Sequence, residues 1–176
     1  MINLKRAVFL DRDGVINEVL SKRVRFVNKP EQMHLLEGVG EGIKLLNDCG
    51  FLVFVVTNQG GIGLGYMKEE MLTEVHEKMI KDIREFGGEI HDIIYCPHKP
   101  HAGCVCRKPE PEMIHRLAIK HEVSLKDSFM VGDRDVDIMA GKQAGTNTIL
   151  IGMEDGLADY RFPSLYDAAE WLAAKK

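Results

Sequence analysis

Residues 51–56 read Phe-Leu-Val-Phe-Val-Val, six apolar positions in succession between Gly50 and Thr57. A strand with one wet face alternates polar and apolar side chains, whereas an unbroken run is the pattern of a strand buried on both faces. A sheet holding such a strand needs a layer on each side, and helices crossing over between parallel strands supply both. Other apolar runs fall at 7–10, 90–95, 128–131 and 146–151. Helical patterns at 39–49, 68–86, 111–121, 136–144 and 165–174 lie between or after them. In 68–86 apolar residues recur at Met71, Val75, Met79, Ile83 and Phe86 before Gly87-Gly88 stops the helix, as Gly50 stops the one before it. The alternation predicts an α/β fold with a mainly parallel sheet. A length of 176 residues suits one compact domain, 1–176. Residues 14–36 lack clear periodicity and are predicted to form a loop or small hairpin over one edge of the sheet.

Ligands of such sheets bind beyond the carboxyl ends of the strands. Four polar clusters follow predicted strands: Asp11-Arg12-Asp13-Gly14, Thr57-Asn58-Gln59, Arg107-Lys108-Pro109 and Gly132-Asp133-Arg134-Asp135-Val136-Asp137. The fold would bring them to one rim. Asp11 and Asp13, with Asp133 and Asp137, would repel one another unless a cation sat among them, and oxygen ligands suit Mg²⁺. An aspartate there can attack phosphorus, and a second can give and take the proton of the leaving alcohol and the attacking water. Thr57, Asn58 and backbone N–H groups would hold phosphoryl oxygens, and Lys108 would offset their charge. Each cluster alone has a plainer reading. Asp-x-Asp can be a turn, Thr57-Asn58 likewise, Lys108 a surface charge, and Asp133 with Asp137 acidic residues at a helix N-terminus. Their order, each after a strand, favours the phosphoryl-transfer reading.

Three of the four cysteines fall in residues 96–106, as Cys96-x-His98-x5-Cys104-x-Cys106. Three thiolates and an imidazole complete a tetrahedral Zn²⁺ shell with no open position, the mark of a structural site; His101 rivals His98 for the fourth place. Zinc would clamp the loop that ends in Arg107 and Lys108. Cys49 reads as a packed residue. The apolar run 7–10 is cut short by Asp11, which is unlike a secretory signal, and no stretch approaches the ~18 apolar residues of a membrane span. A cytoplasmic location is expected, where clustered thiols bind metal. A net charge of −4 argues against nucleic acid or an anionic membrane as partner, but not against a small phosphorylated ligand. Residues 60–65 (GGIGLG) are followed by Tyr66-Met67 where a P-loop needs Lys-Ser/Thr, which excludes a nucleotide-triphosphate cradle.

The motifs FLDRDGVIN, TNQ, RKPEP and GDRDVD resemble those of the haloacid dehalogenase superfamily of aspartate-nucleophile phosphatases and span nearly the whole chain. DRDGVIN, TNQGGIG and the C-x-H…C-x-CRKP loop are most similar to the branch of heptose bisphosphate and histidinol-phosphate phosphatases. The resemblance implies a Rossmann-like three-layer domain without a large cap and with a zinc-clamped loop. It implies Asp11 as nucleophile and Asp13 as general acid/base. Asp11, Asp133 and the Asp13 carbonyl would hold Mg²⁺, and Thr57 and Lys108 would stabilise the phosphoryl group. Asn58, Arg107 and Arg134 would bind substrate, and Cys96, His98, Cys104 and Cys106 would bind zinc. The implied activity is phosphomonoester hydrolysis, foremost of the 7-phosphate of a heptose 1,7-bisphosphate and alternatively of histidinol phosphate or another small sugar phosphate; a non-catalytic zinc-containing module that binds a phosphorylated ligand is the distant alternative, and a monomer is expected. The chain departs from the family pattern in a longer, basic loop, Lys22-Arg23-Val24-Arg25, suited to a second phosphate, and in Glu112 where glycine is common.

Overall fold

The computed structural model describes residues 2–152 and 156–175. Strands and helices alternate: β1 (Ala7–Leu10), α1 (Val39–Asp48), β2 (Leu52–Asn58), α2 (Glu69–Glu85), β3 (Asp92–Cys96), α3 (Glu112–His121), β4 (Phe129–Gly132), α4 (Asp135–Ala144), β5 (Asn147–Ile151), β6 (Tyr160–Phe162) and α5 (Leu165–Ala174). The strands form one sheet in the order β3-β2-β1-β4-β5-β6 with every neighbouring pair parallel.

Burial follows the pleat. Val8 and Leu10 of β1 face a core shared with Val53 and Val55 of β2 and with Ile43, Val75, Met79 and Leu172 of α1, α2 and α5. Ala7 and Phe9 face the other way, onto Phe54 and Val56 and onto Met113, Leu117 and Ala140 of α3 and α4. This is a three-layer α/β sandwich. All four β1 side chains are fully buried, and each Val, Leu or Phe so covered contributes roughly 1.5–3 kcal/mol.

Three expectations change. Residues 14–36 do not lie over a sheet edge. They leave the end of β1, which is central, and Val15, Ile16, Val24, Val27 and Met33 sink into the core on the α1–α2–α5 face. The segment folds back on itself through one antiparallel bridge, Asn17 to Leu35, flanked by bonds from Glu18 N–H to the His34 carbonyl and from Leu36 N–H to the Ile16 carbonyl, both 2.9 Å. A bridge from Asp13 to Asn17 and a 3-10 turn at Pro30–Gln32 complete it, so it is a loop with a minimal antiparallel closure. Secondly, β6 was not expected: it has three residues on a half-exposed edge and no apolar run, and only its pairing with β5 defines it. β2 also extends through Thr57 and Asn58, because these polar residues pair with Tyr95 and Cys96 of β3. No helix among the described residues is long and apolar enough to cross a membrane.

Candidate active site

The strand order runs one way from β1 through β2 to β3 and the other way through β4, β5 and β6, so the topological switch lies between β1 and β4. Asp11 and Asp133 follow those two strands, and Asp11 N–H still donates to the Val131 carbonyl at 3.0 Å. Gly14, at φ +85°, lets the chain turn away, and a Cβ there would stand 2.0 Å from Asp133 Oδ2. Asp11, Asp133 and Asp137 bring carboxylate oxygens within 4.8 Å of one another. Lys108 is the buried cation among them, with Nζ 2.8 Å from Asp11 Oδ1, 2.7 Å from Asp137 Oδ1 and 2.8 Å from the Val56 carbonyl.

Burial, opposed by Lys108 and reinforced by Asp137, pushes the Asp11 carboxyl up to about 8. Burial and Asp137 also raise Asp133. Asp133 Oδ1 is buried with no hydrogen-bond partner. Three carboxylates against one buried ammonium, with one oxygen orphaned, suit a divalent oxygen-seeking cation.

Asp13 is treated in the opposite way. Burial opposes its ionisation, but Arg12, Asn17 and Gln59 outweigh that and hold it below the usual carboxylate range. Arg12 Nη2 and Nε lie 2.9 and 3.3 Å from Asp13 Oδ1, and Asn17 Nδ2 donates to the same oxygen at 3.0 Å. Gln59 Nε2 reaches Asp13 Oδ2 at 3.3 Å and donates to Thr57 Oγ1 at 2.9 Å.

A cavity of about 540 Å³ opens over these groups, lined by Asp11, Asp13, Asn58, Lys108, Asp133 and Arg134 and roofed by Val19, Leu20 and Phe26. Arg107 is not among its lining residues; its Nη1 donates to the His98 carbonyl at 3.2 Å. Asn58 spends its amide on the Lys108 backbone, donating to the carbonyl at 3.2 Å and accepting from the N–H at 3.0 Å. Arg23 pairs with Glu18 at 2.9 Å on the surface. A larger cavity, about 670 Å³, is lined by Asp133 with Leu36, Glu37, Leu150 and Ser164 and by none of Asp11, Asp13 or Asp137.

Beside the site, Cys96, His98, Cys104 and Cys106 bring Sγ and ring-nitrogen atoms within 4.8 Å of one another, and His98 rather than His101 joins the sulfurs. Cys96 Sγ is 3.0 Å from Cys106 Sγ and 3.6 Å from Cys104 Sγ.

Sequence reasoning passed over Arg12, Asn17 and Gln59 as individual site groups, although each stands inside a quoted motif, and it named Asp137 among the clustered carboxylates without seeing its pairing with Lys108. His76, whose Nε2 lies 3.2 Å from Arg12 Nη1, had no local signal at all.

Known proteins resemble the chain in sequence and fold. A family model described as HAD-hydrolase-like matches residues 105–159. The D-glycero-alpha-D-manno-heptose-1,7-bisphosphate 7-phosphatase of Photorhabdus laumondii is 37% identical over 150 residues, 81% of this chain and 80% of that protein. The D-glycero-beta-D-manno-heptose-1,7-bisphosphate 7-phosphatase of Helicobacter pylori is 35% identical over 159 residues, 89% and 88% of the two. A crystal structure of D,D-heptose 1,7-bisphosphate phosphatase from B. bronchiseptica, complexed with magnesium and phosphate, matches with a TM-score of 0.87 and 32% identity. It covers 97% of this chain and 99% of that one. Fold and site thus define a haloacid-dehalogenase-like hydrolase of the phosphatase class. More narrowly, the chain belongs to the family of the D-glycero-D-manno-heptose-1,7-bisphosphate 7-phosphatases.

Proposed function

We propose that this chain removes the 7-phosphate of D-glycero-D-manno-heptose 1,7-bisphosphate through a phosphoryl-aspartate intermediate on Asp11. The substrate comes from the relatives' names and the chemistry from one arrangement: Asp11 on the end of β1, against Lys108 and beside an unpartnered Asp133 oxygen. Asp13, ionised in the free enzyme, takes a proton from the incoming phosphate monoester; an Asp11 oxygen then bonds to phosphorus as the bond to the sugar oxygen breaks, and Asp13 gives that oxygen the proton. Asp13 then takes a proton from water, whose oxygen bonds to phosphorus as the Asp11–phosphorus bond breaks. Inorganic phosphate leaves, and both aspartates return to their starting states. The Lys108 ammonium offsets the charge on the equatorial oxygens, Thr57 and backbone N–H groups would bind them, and Arg134, which lines the cavity as Thr57 does not, faces the rest of the substrate.

Asp11, Asp133 and the Asp13 carbonyl would hold Mg²⁺, which when bound supplies the positive charge that lets carboxylates and a phosphate dianion share one cavity. Cys96, His98, Cys104 and Cys106 would hold a structural Zn²⁺, with no position left for substrate. A zinc ion held there would fix the loop leading into Arg107 and Lys108, and Asn58 ties that loop to β2. A reducing cytoplasm fits three free thiols in one loop.

The test is phosphate release, with Mg²⁺ present, from both anomers of the 1,7-bisphosphate, from the 1-phosphate and from histidinol phosphate, together with mass analysis of the Asp11 peptide after rapid quench. Release of the 7-phosphate and a phosphorylated Asp11 peptide are expected. Faster turnover of histidinol phosphate would remove the substrate assignment, and unimpaired turnover by Asp11→Asn would remove the mechanism.

A further inference from the structure

We infer that His76 of α2 is a positioning residue for this reaction: it holds the Arg12 guanidinium so that Asp13 turns Oδ2, and not Oδ1, toward the leaving oxygen. The inference rests on the reading of Asp13 as the group that protonates the leaving alcohol.

Arg12 is completely buried, and its guanidinium meets partners on three nitrogens. Nε and Nη2 go to Asp13 Oδ1, and Nη1 goes to His76 Nε2 at 3.2 Å. Guanidinium has donors only, so His76 Nε2 must accept, and the ring is neutral with its proton on Nδ1. Burial first, then the Arg12 charge, keeps His76 unprotonated, with its pKa lowered to about 3. A planar fork anchored at both ends cannot rotate, so the two contacts to Oδ1 keep one direction.

Asp13 Oδ1 receives three N–H groups, two from Arg12 and one from Asn17, which leaves it no room for a proton. Oδ2 has the single 3.3 Å contact from Gln59. The oxygen that can carry and pass a proton is therefore Oδ2. Without the His76 acceptor, Nη1 would be a buried donor with nothing to bind, and Arg12 would swing to find a partner. Asp13 would then keep its charge partner but lose its aim.

The experiment compares two leaving groups: the sugar phosphate, whose alkoxide needs a proton, and 4-nitrophenyl phosphate, whose phenolate does not. In the Mg²⁺-loaded enzyme, His76→Leu should lower kcat/KM for the sugar phosphate by about 10–100-fold, part of the ~10²–10⁴ that a general acid–base group supplies. The loss should exceed that for the aryl ester at least tenfold, and His76→Gln, which keeps an acceptor, should regain most of it. Equal losses on both esters would mean a merely structural role and overturn the inference. Asp13→Asn is the control. If it spares the sugar phosphate, the reading of Asp13 fails; if it shows the leaving-group dependence and His76→Leu does not, only the inference fails. Should His76→Leu not fold, nitrogen NMR of the wild-type ring decides, because a proton on Nε2 would overturn the inference.

Discussion

Two clusters able to hold metal sit side by side, and they are built on different supports. The carboxylate cluster stands on the ends of central strands and is anchored by a buried lysine. The thiol–imidazole cluster stands mostly on a loop, with Cys96 buried at the end of β3 and His98 exposed. The first leaves one oxygen unpartnered and a surplus of negative charge, which suits a hard ion and an incoming phosphate. The second offers four ligands and can close around its ion. Rigid support goes with reactivity, and the loop needs a clamp because its backbone supplies little order of its own. Asn58 connects the two, holding both backbone groups of the lysine that follows the thiol loop.

Removing the proposed nucleophile should separate the clusters most sharply. Asp11→Asn is expected to lose on the order of 10⁴-fold or more in kcat by phosphate release, with zinc content and Tm unchanged. Loss of zinc along with activity would break the division. Lys108→Met should cost about 10²–10³-fold in kcat. It should also cost roughly 3–5 kcal/mol in urea unfolding without Mg²⁺, since Asp11 and Asp137 lose their buried counter-charge. Asn58→Ala tests the tie between clusters: about a 10–100-fold loss in kcat/KM, with zinc retained, is expected from the looser lysine. Zinc removal or Cys106→Ser should lower Tm and reduce kcat/KM by about tenfold or less while Mg²⁺ affinity, read by titration calorimetry, stays the same. Full activity and unchanged Tm in zinc-free protein would end the clamp account.

The smallest effect is on pH. His76 is held neutral in the fold, with its pKa lowered to about 3, and has its ordinary value of 6.5 when unfolded. The unfolded chain thus binds the extra proton, so this contribution is intact above pH 6.5 and fades as pH falls from there toward 3. Denaturant unfolding between pH 6.5 and 4.5 should slope more steeply in the wild type than in His76→Gln, by up to about 1.4 kcal/mol per pH unit. Zinc loss in acid affects both proteins alike, so the difference isolates His76, and identical slopes would refute the neutral buried ring.

Much of the fold was legible because the central strands are buried on both faces, which writes itself as continuous apolar runs such as 51–56. β6 was not, since an exposed three-residue edge strand needs no apolar run. Within the site, the Cys/His spacing was legible because the four ligands of that cluster stand close together in the chain, and the carboxylates were legible because each lies just after a predicted strand. Asn58 was expected to touch phosphate oxygens. Its amide is instead occupied by Lys108, a partner 50 residues away that no local pattern could name.

By itself the sequence determined the strand–helix alternation, the polar clusters after each strand and the two sets of metal-competent side chains, because each of these is a matter of residue type and short spacing. Only the tertiary structure decided that Lys108 answers to both Asp11 and Asp137, that Asp133 keeps an oxygen unmatched, and that His76 stands behind Arg12. Those relations are distances between segments far apart in the chain. They exist only once the parallel sheet has brought its strand ends to a common rim and shut water out, so that each buried charge must find its partner across the fold.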